Sequence, residues 1–314
     1  MNKTYAPIIV FVYNRPVHTK KMFESLAKNK QAKNSDIFIY SDSPKNEQAK
    51  ENVTKVREYI NDLPQKNLFK SVTIVNAKQN KGLANSVIDG VSNIINKYGK
   101  VIVLEDDLIL SKHFIQYMND ALNFYQNNKK IWSISGYNLP IDIPKEYKKE
   151  IYLGYRGCSW GWATWKDRWD KVDWSVSDYK KIKNSFFKRK KFNRGGNDMA
   201  LMLDAQMQGR CNSWAIRWCY QQHKENMYTI YPVNSLIKNI GLDGTGTHSK
   251  ISTNFNINID TNNDSVKFTN ELILNKKILK KFKQMFNGGI KQMIAETLSI
   301  LGLYELIYKM RHKK

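Results

Sequence analysis

Apolar and polar residues alternate in blocks along the first 110 positions, and the blocks predict strands and helices in turn. Four short apolar runs suit buried strands, at residues 7–13, 36–42, 71–77 and 101–107. Segments with apolar residues at helical spacing lie between them, one of which covers residues 83–98. This alternation predicts an α/β fold in which parallel strands are joined by right-handed helical crossovers.

Polar residues follow three of these four predicted strands. Asn14 and Arg15 come after the first strand, Asp42 comes after the second, and the acidic triplet EDD at 105–107 closes the fourth. In open parallel sheets, ligands bind beyond the carboxyl ends of the strands. We therefore expect these side chains to converge on one crevice.

The acidic triplet is the sharpest chemical feature of the sequence. Three adjacent carboxylates at the tip of a buried strand repel one another unless a cation or hydrogen-bond donors offset their charge. Hard oxygen ligands of this kind suit Mg²⁺ or Mn²⁺. The triplet therefore predicts a divalent-metal site or, alternatively, an ordinary acidic helix cap.

Residues 155–174 contain five tryptophans. Sugar rings pack well on indoles, so Trp160 and Trp162 predict an acceptor-binding wall, and a packed core segment is the alternative. The Lys/Arg-rich stretch at 180–194 predicts a surface loop. A helical segment then follows, in which Asp204 stands among apolar residues.

Charge and cysteine content narrow the class of protein. The chain has 51 Lys and Arg against 28 Asp and Glu, a net charge of +23, which favours anionic partners or reflects a solvated basic surface. No nucleic-acid-binding motif accompanies the basic residues, so no specific nucleic-acid partner is expected. Three cysteines without metal or redox spacing, and no run of about 20 apolar residues, predict a reduced cytoplasmic protein that does not cross a membrane.

The C-terminal segment 276–314 carries ten Lys and Arg and two Glu, a net charge of +8. Apolar residues recur in it near helical spacing, at 290, 293, 294, 298, 301 and 310. This pattern is typical of a helix in a membrane interface, where each basic residue contributes about 1 kcal/mol beside anionic lipids. We expect peripheral docking on an anionic membrane or, alternatively, a helix packed on the domain.

Several motifs together resemble a known family. They are YNRP at 13–16, SDSP at 41–44, an Asn-Lys-Gly turn at 80–82, EDD, GCSWGWATW and NIGLDGTGTH. The chain resembles nucleotide-sugar glycosyltransferases of the GT-A fold over roughly residues 7–249, and most of all the N-acetylglucosaminyltransferase I group and family 2 enzymes. The likeness implies a mostly parallel central sheet flanked by helices, with an acceptor-side subdomain. The basic C-terminal helical tail predicted from its charge and apolar spacing lies outside the likeness.

The resemblance also implies a division of the chain and roles for its residues. Residues 1–130 would bind the nucleotide sugar, 131–250 would form the acceptor and catalytic half, and 251–314 a basic helical extension. Asp107 would hold the metal, with a further contact from His248. The donor contacts would be Asn14, Arg15, Asp42, Lys81, Glu105 and Asp106. Arg217 and Trp218, in SWAIRW, resemble the acceptor-side Gln-x-x-Arg-Trp element of processive family 2 enzymes.

The general base departs from the family pattern. Where relatives carry a Trp-Asp-Asp-Trp base motif, this chain reads SWAIRW and has no acid. Asp204 is our predicted replacement, because partial burial would raise the pKa of its carboxyl towards a useful range. Asp198 and Asp243 are alternatives.

The sequence thus predicts a metal-dependent, inverting glycosyltransferase of the hexosyl or N-acetylhexosaminyl type. Its donor would be a UDP-sugar or another nucleoside-diphosphate sugar, and its acceptor a glycan or a lipid-linked glycan. We expect Mn²⁺ or Mg²⁺ as cofactor and a place in bacterial surface polysaccharide synthesis, at the inner face of the cytoplasmic membrane. The alternatives are a sugar-phosphate nucleotidyltransferase and a non-catalytic module that binds nucleic acid or membranes.

Overall fold

A computed structural model describes residues 5–244, 253–259 and 265–304, together with Tyr308 and Met310. The strands in chain order are β1 (Ile8–Val12), β2 (Asp36–Ser41), β3 (Ser71–Asn76), β4 (Lys100–Glu105), β5 (Leu108–Leu110), β6 (Ile131–Ser135), β7 (Ile151–Gly154), β8 (Trp162–Trp165), β9 (Tyr228–Pro232) and β10 (Ile237–Asn239). The α-helices are α1 (Pro16–Ala27), α2 (Glu47–Asn61), α3 (Leu83–Tyr98), α4 (Phe114–Tyr125), α5 (Lys166–Trp169), α6 (Lys180–Lys183), α7 (Phe186–Phe192), α8 (Met199–Met207), α9 (Trp214–Lys224), α10 (Lys276–Gln284) and α11 (Gly289–Ile300).

Eight of the strands form one mixed sheet in the order β3-β2-β1-β4-β8-β6-β9-β7. Its first four strands are mutually parallel, and β9 is parallel to β6. Strands β8 and β7 run antiparallel to their neighbours. The predicted α/β fold with a mostly parallel central sheet and flanking helices is confirmed.

The strand order places a reversal of the chain path at β1. Helix α3 carries the chain from β3, at one edge of the sheet, across to β4 on the other side of β1. A crevice opens at such a switch point, beyond the carboxyl ends of the two central strands. Strands β1 and β4 are apolar runs buried on both faces, so polar residues first occur where they end.

A short two-stranded ribbon brings a distant segment to this crevice. Strand β5 directly follows the acidic triplet and pairs antiparallel with β10, with Leu108 opposite Asn239. The register is anchored because the Ile240 N–H donates to the Asp107 carbonyl oxygen at 2.8 Å. Residues 240–244 therefore lie beside the end of β4.

The basic stretch at 180–194 is helical, and the prediction of a surface loop there is wrong. It forms α6 and α7, which bury Ile182, Arg189 and Phe192. The run of basic residues looks like a solvated loop in the sequence. The structure differs because Arg189 is buried through ion pairs with residues far along the chain.

The C-terminal segment divides into two helices with different environments. Helix α10 packs against the domain through its apolar residues: Ile278 and Phe282 are buried, and the Phe282 ring lies 5.2 Å from the Tyr231 ring. Helix α11 contacts α8. No helix among the described residues has both the length and the apolarity to cross a membrane.

Candidate active site

The acidic triplet lies at the switch point, where β4 ends. Glu105 is the last residue of β4, and Asp106 and Asp107 form the turn into β5. The Tyr13 N–H, at the end of β1, donates to Asp106 Oδ2 at 3.1 Å. Two adjacent parallel strands thus bring their polar ends into direct contact, as the sequence predicted.

Arg15 is the main cationic partner of this cluster. Its Nη1 donates to Asp107 Oδ2 at 2.8 Å, and its Nη2 donates to the Gly241 carbonyl oxygen at 3.0 Å. Asp243 lies on the far side, with Oδ1 at 3.5 Å from Arg15 Nη2 and Oδ2 at 3.1 Å from His18 Nε2. Residues after β1, β4 and β10 therefore meet at one guanidinium group.

The triplet holds more negative charge than its surroundings offset. Burial, followed by the neighbouring carboxylates, raises the pKa of Glu105 well above its usual range. Burial and the Asp107 carboxylate raise the pKa of Asp106 to about 7. The pKa of Asp107 is also raised by burial, even though the Arg15 charge lowers it. Such a cluster favours an additional cation.

The residues present fit a divalent cation that the protein holds through few ligands. Asp107 Oδ1 is buried and has no hydrogen-bond partner in the part of the chain that the structure describes. The same residues include no group of three His, Cys, Asp or Glu arranged as a complete metal cage. Mg²⁺ is commonly bound by one or two carboxylates together with water and substrate phosphates, which matches this donor set. His248, the other predicted metal contact, lies outside the described residues.

Gly241 makes the contact between Arg15 and Asp107 possible. A Cβ at this position would lie 1.9 Å from Asp107 Oδ2 and 2.6 Å from Arg15 Nη1. Any side chain would therefore separate the pair. Our sequence reading gave no role to Gly241 or His18; the signals present were a glycine two positions after the short strand Ile237–Asn239 and a histidine three positions after Arg15.

Asp42 stabilises the loop before α3, which forms the neighbouring part of the crevice. Its Oδ1 accepts from the Ser43 and Lys81 N–H groups at 2.8 and 2.9 Å, and its Oδ2 accepts from the Gly82 N–H at 2.9 Å and Asn80 Nδ2 at 3.1 Å. These bonds tie the end of β2 to the start of α3. The Lys81 ammonium meanwhile pairs with Asp89 at 2.8 Å. The donor contact at Asp42 stays a prediction.

Trp160 is one of the predicted acceptor residues that the fold leaves partly exposed. It precedes β8, whose first residue pairs with Val103 near the end of β4. Its ring lies edge-on to Tyr137 at 4.7 Å. A cavity of about 600 Å³ opens at the carboxyl ends of β6 and β9, on the same edge of the sheet. Isoleucine and asparagine side chains line it, including Asn138, Ile141, Ile143, Asn234, Ile257 and Asn258.

Two other predicted acceptor residues, Trp162 and Trp218, belong to the buried framework of the protein, and this is a correction to the sequence reading. Trp162 and Trp218 are 0% and 1% exposed and lie 5.4 Å apart in a buried tryptophan cluster. Arg217 is partly exposed and donates to the Trp174 and Ser213 carbonyl oxygens at 3.0 and 3.1 Å, which secures the start of α9. An acceptor contact at Arg217 stays a prediction. Tryptophan density alone could not separate a sugar-binding wall from a core.

Asp204 is likewise corrected, because its surroundings leave it no access to an acceptor. Its side chain is 1% exposed, and both oxygens accept from the Arg189 guanidinium, at 3.0 and 2.8 Å. Tyr179 and Ser299 hydroxyls donate to it as well. This is a structural ion pair and not a general base.

The alternative carboxylates occupy different places. Asp198 pairs with Arg156 through two bonds of 2.7 and 3.0 Å, on the side of the sheet where Phe286 packs over that arginine. Asp243 lies at the crevice and keeps 42% of its side chain exposed. Of these acids, Asp243 therefore contacts the predicted donor-side residues through Arg15.

Solved structures similar to this chain include two of S. aureus TarS and one of a cytidylyltransferase. The crystal structure of S. aureus TarS matches with 16% identity over 46% of this chain and 24% of that chain, at a TM-score of 0.31. S. aureus TarS 1-349 matches with 11% identity over 74% and 59%, at 0.40. A cytidylyltransferase from Leptospira borgpetersenii serovar Hardjo-bovis matches with 12% identity over 54% and 64%, at 0.32. The chain spans less than two thirds of the length of each.

Sequence comparison supplies the family. No protein of curated function matches the chain. Residues 1–176 match the GNT-I family, and this range holds β1 to β8, the acidic triplet, Arg15 and Asp42. More than half of the 314 residues are thus covered. The resemblance to the N-acetylglucosaminyltransferase I group is confirmed, and the chain belongs to the GNT-I family.

Proposed function

We propose that this protein is a glycosyltransferase that takes its donor sugar from a nucleoside diphosphate. The observation that carries the proposal is the meeting of the acidic triplet, Arg15 and the Gly241 loop at the switch point of the sheet. That position is where doubly wound sheets bind nucleotides. The cluster joins excess negative charge for a metal with a guanidinium for phosphate, which is the combination that a departing diphosphate requires.

Each group at the site has a proposed part in the reaction. Asp107 would hold Mn²⁺ or Mg²⁺ through its unpartnered Oδ1, and the cation would stabilise the charge that develops on the leaving diphosphate. Arg15, already at 2.8 Å from Asp107, would contact the phosphate oxygens. Glu105 and Asp106 would accept hydrogen bonds from donor hydroxyl groups. Asp42 would hold the loop around the nucleoside.

The acceptor would enter from the second half of the sheet. Trp160 and the cavity at the ends of β6 and β9 open on the same edge as the donor crevice, so a glycan could reach both. We propose UDP as the nucleotide, a hexosyl or N-acetylhexosaminyl group as the sugar, and a glycan or lipid-linked glycan as the acceptor. Inversion is our proposed outcome, with Asp243 and Asp198 as the carboxylates to test as base.

We place this reaction in bacterial surface polysaccharide synthesis at the inner face of the cytoplasmic membrane. Nucleotide sugars are water-soluble donors, whereas a lipid-linked acceptor remains in the bilayer. A protein with a net charge of +23 is suited to meet such an acceptor at an anionic surface.

Thermal unfolding with ligands tests the donor assignment. UDP and UDP-sugars should raise the melting temperature more with Mn²⁺ than without it, since a ligand at 100 times its Kd stabilises by about 2.7 kcal/mol. Asp107→Asn should lose the metal-dependent part of the shift. It should unfold at or above the wild-type temperature without ligand, because the mutual repulsion of the triplet is relieved.

Asp36→Asn is the matched control. Asp36 begins β2 and pairs with Lys70, so it lies at the opposite end of the strand from the crevice. It should retain the full ligand response. An equal metal-dependent shift in Asp107→Asn and wild type would show that the triplet is not the cation site, and the absence of any nucleotide response would end the donor proposal.

A further inference from the structure

Helix α11 differs from an ordinary surface helix because polar side chains face the protein and apolar side chains face outwards. Glu296 and Ser299 point inwards, where they bond Arg189 and Asp204. The outward side is apolar: Ile290 is 76% exposed, Met293 69%, Ile294 53%, and Leu301, just past the helix, 63%. Residues three and four apart share one face of a helix, so these side chains form one stripe. A surface helix normally buries such a stripe, and this one is covered by nothing within the described residues.

Helix α7 carries further exposed apolar side chains beside this helix. Phe186 and Phe187 are 56% and 81% exposed. Arg189, on the same short helix, joins α7 to α11 through Glu296 at 2.7 and 2.8 Å. The two helices are therefore fixed to each other by a buried contact. We call their exposed apolar residues the outer apolar surface: Phe186, Phe187, Ile290, Met293, Ile294 and Leu301.

The surroundings of the outer apolar surface are strongly basic. Helices α7, α10 and α11 contain ten Lys and Arg, four, five and one respectively, and their single acid is Glu296, which is paired with Arg189. Lys190 and Lys283 lie close enough that the Lys190 charge, after burial, lowers the pKa of Lys283. Lys190 also lies 5.9 Å from the Phe186 ring. Basic and apolar groups are thus interleaved on one part of the molecule.

We propose that the outer apolar surface docks into the interface of an anionic lipid bilayer, with α11 lying in the membrane plane. Such an interface offers apolar acyl chains at the depth of the exposed side chains and anionic headgroups around them. A second copy of the chain is a poor occupant, because it would bring an equally basic surface into contact. The inference rests on the membrane partner in the proposed function, and it assigns the contact to α7 and α11 while α10 packs into the fold.

Co-sedimentation of the full chain with vesicles tests the proposal. Binding should be strong to vesicles of phosphatidylcholine with phosphatidylglycerol, weak to phosphatidylcholine alone, and reduced by salt. The variant Ile290→Gln/Met293→Gln/Ile294→Gln keeps every charge and removes three exposed apolar groups. It should bind at least about tenfold more weakly, because burying each such side chain contributes more than a tenfold change. Its melting temperature should stay at that of wild type, since the replaced groups are exposed.

Two controls separate the surface from general effects. Val75→Gln replaces an exposed apolar residue on β3, at the opposite edge of the sheet, and should bind vesicles like wild type. Phe187→Gln, a test of α7, should weaken vesicle binding because Phe187 belongs to the outer apolar surface, and binding equal to wild type would refute the assignment of α7 to the contact. Both are compared with wild type at equal protein and lipid concentrations.

The outcomes that would overturn the proposal are distinct. Folded wild type that stays in the supernatant with anionic vesicles refutes it, as does undiminished binding by the triple variant. If the triple variant instead converts a dimer to a monomer in size-exclusion chromatography and vesicle binding is unchanged, the surface serves a second copy. The UDP and Mn²⁺ thermal shift, measured on the same samples, tests the transfer function independently of membrane binding.

Discussion

The buried ion cluster around Arg189 gives the most direct test of how the acceptor half is held together. The Arg189 and Asp204 side chains are both 1% exposed, and Glu296 is 19% exposed. Asp204→Asn would keep the shape of the side chain and remove its charge. Breaking a buried ion pair from one side costs about 3–5 kcal/mol, because the remaining charge stays desolvated.

The loss of stability should depend on how much uncompensated buried charge each substitution leaves in the cluster. Asp204→Asn should lower the free energy of unfolding by about 3 kcal/mol, because the Glu296 carboxylate still offsets the guanidinium charge. Arg189→Met should cost about 4–5 kcal/mol because it leaves a buried carboxylate alone. Glu296→Gln should cost about 1 kcal/mol, as its carboxylate is the partly solvated one. A loss of 3 kcal/mol corresponds to a melting temperature lower by roughly 5–10 °C.

Urea or thermal unfolding measures these losses, with Glu51→Gln as the control. Glu51 forms an exposed pair with Lys55 on α2, and its replacement should leave the unfolding transition where it is in wild type, because water screens such a pair. If Asp204→Asn unfolded like wild type and lost only turnover, Asp204 would act as a base, and our structural reading of it would be wrong. Near-additive losses in the Arg189→Met/Asp204→Asn double variant, compared with the two single variants, would refute the coupling of the pair.

Two further predictions concern a glycine and a histidine. Gly241→Ala should weaken Mn²⁺-dependent nucleotide binding at least about tenfold in calorimetry, since its methyl group would displace Asp107 or Arg15. Gly99→Ala meets no atom within 4 Å, and the left-handed backbone at φ 75° should cost it about 1–2 kcal/mol of stability while leaving the affinity of the folded protein intact. Equal affinities for both variants would contradict the packing argument. Burial, then the nearby Arg194 and Lys191 charges, lowers the pKa of His223 from 6.5 to about 4. The unfolded chain therefore binds the extra proton first as pH falls below about 6.5, so wild type should lose about 2 kcal/mol more than His223→Gln between pH 7.5 and 5.0 in urea unfolding. Parallel pH profiles would contradict this assignment.

Much of the donor half could be predicted from local sequence patterns. The predicted strands at 7–13 and 36–42 contain the observed Ile8–Val12 and Asp36–Ser41, and the predicted helix at 83–98 is α3. These elements are defined by short apolar runs and helical spacing, both of which are visible in neighbouring residues. Polar residues at the ends of buried parallel strands could likewise be assigned to the crevice, because that is where such strands end.

The parts that escaped prediction depend on contacts between distant residues. Gly241 reaches Asp107 because β10 pairs with β5 more than 120 positions away, and no local pattern specifies that pairing. Arg189 is buried because Glu296, 107 residues later, neutralises it. A basic helix and a basic loop look alike until such a partner is known.

The packing of α10 has a consequence for how the end of this protein can vary. Ile278 and Phe282 are as deeply buried as residues of the central sheet, so the C-terminal segment is not an appendage that can be cut away before Lys276 without exposing Tyr231. The outward side chains of α11 touch no such core. Substitutions can therefore accumulate on the outward side of that helix and change what the protein adheres to while the fold stays intact. The inward Glu296 and Ser299, and the helix before it, are held to their sequence by their contacts.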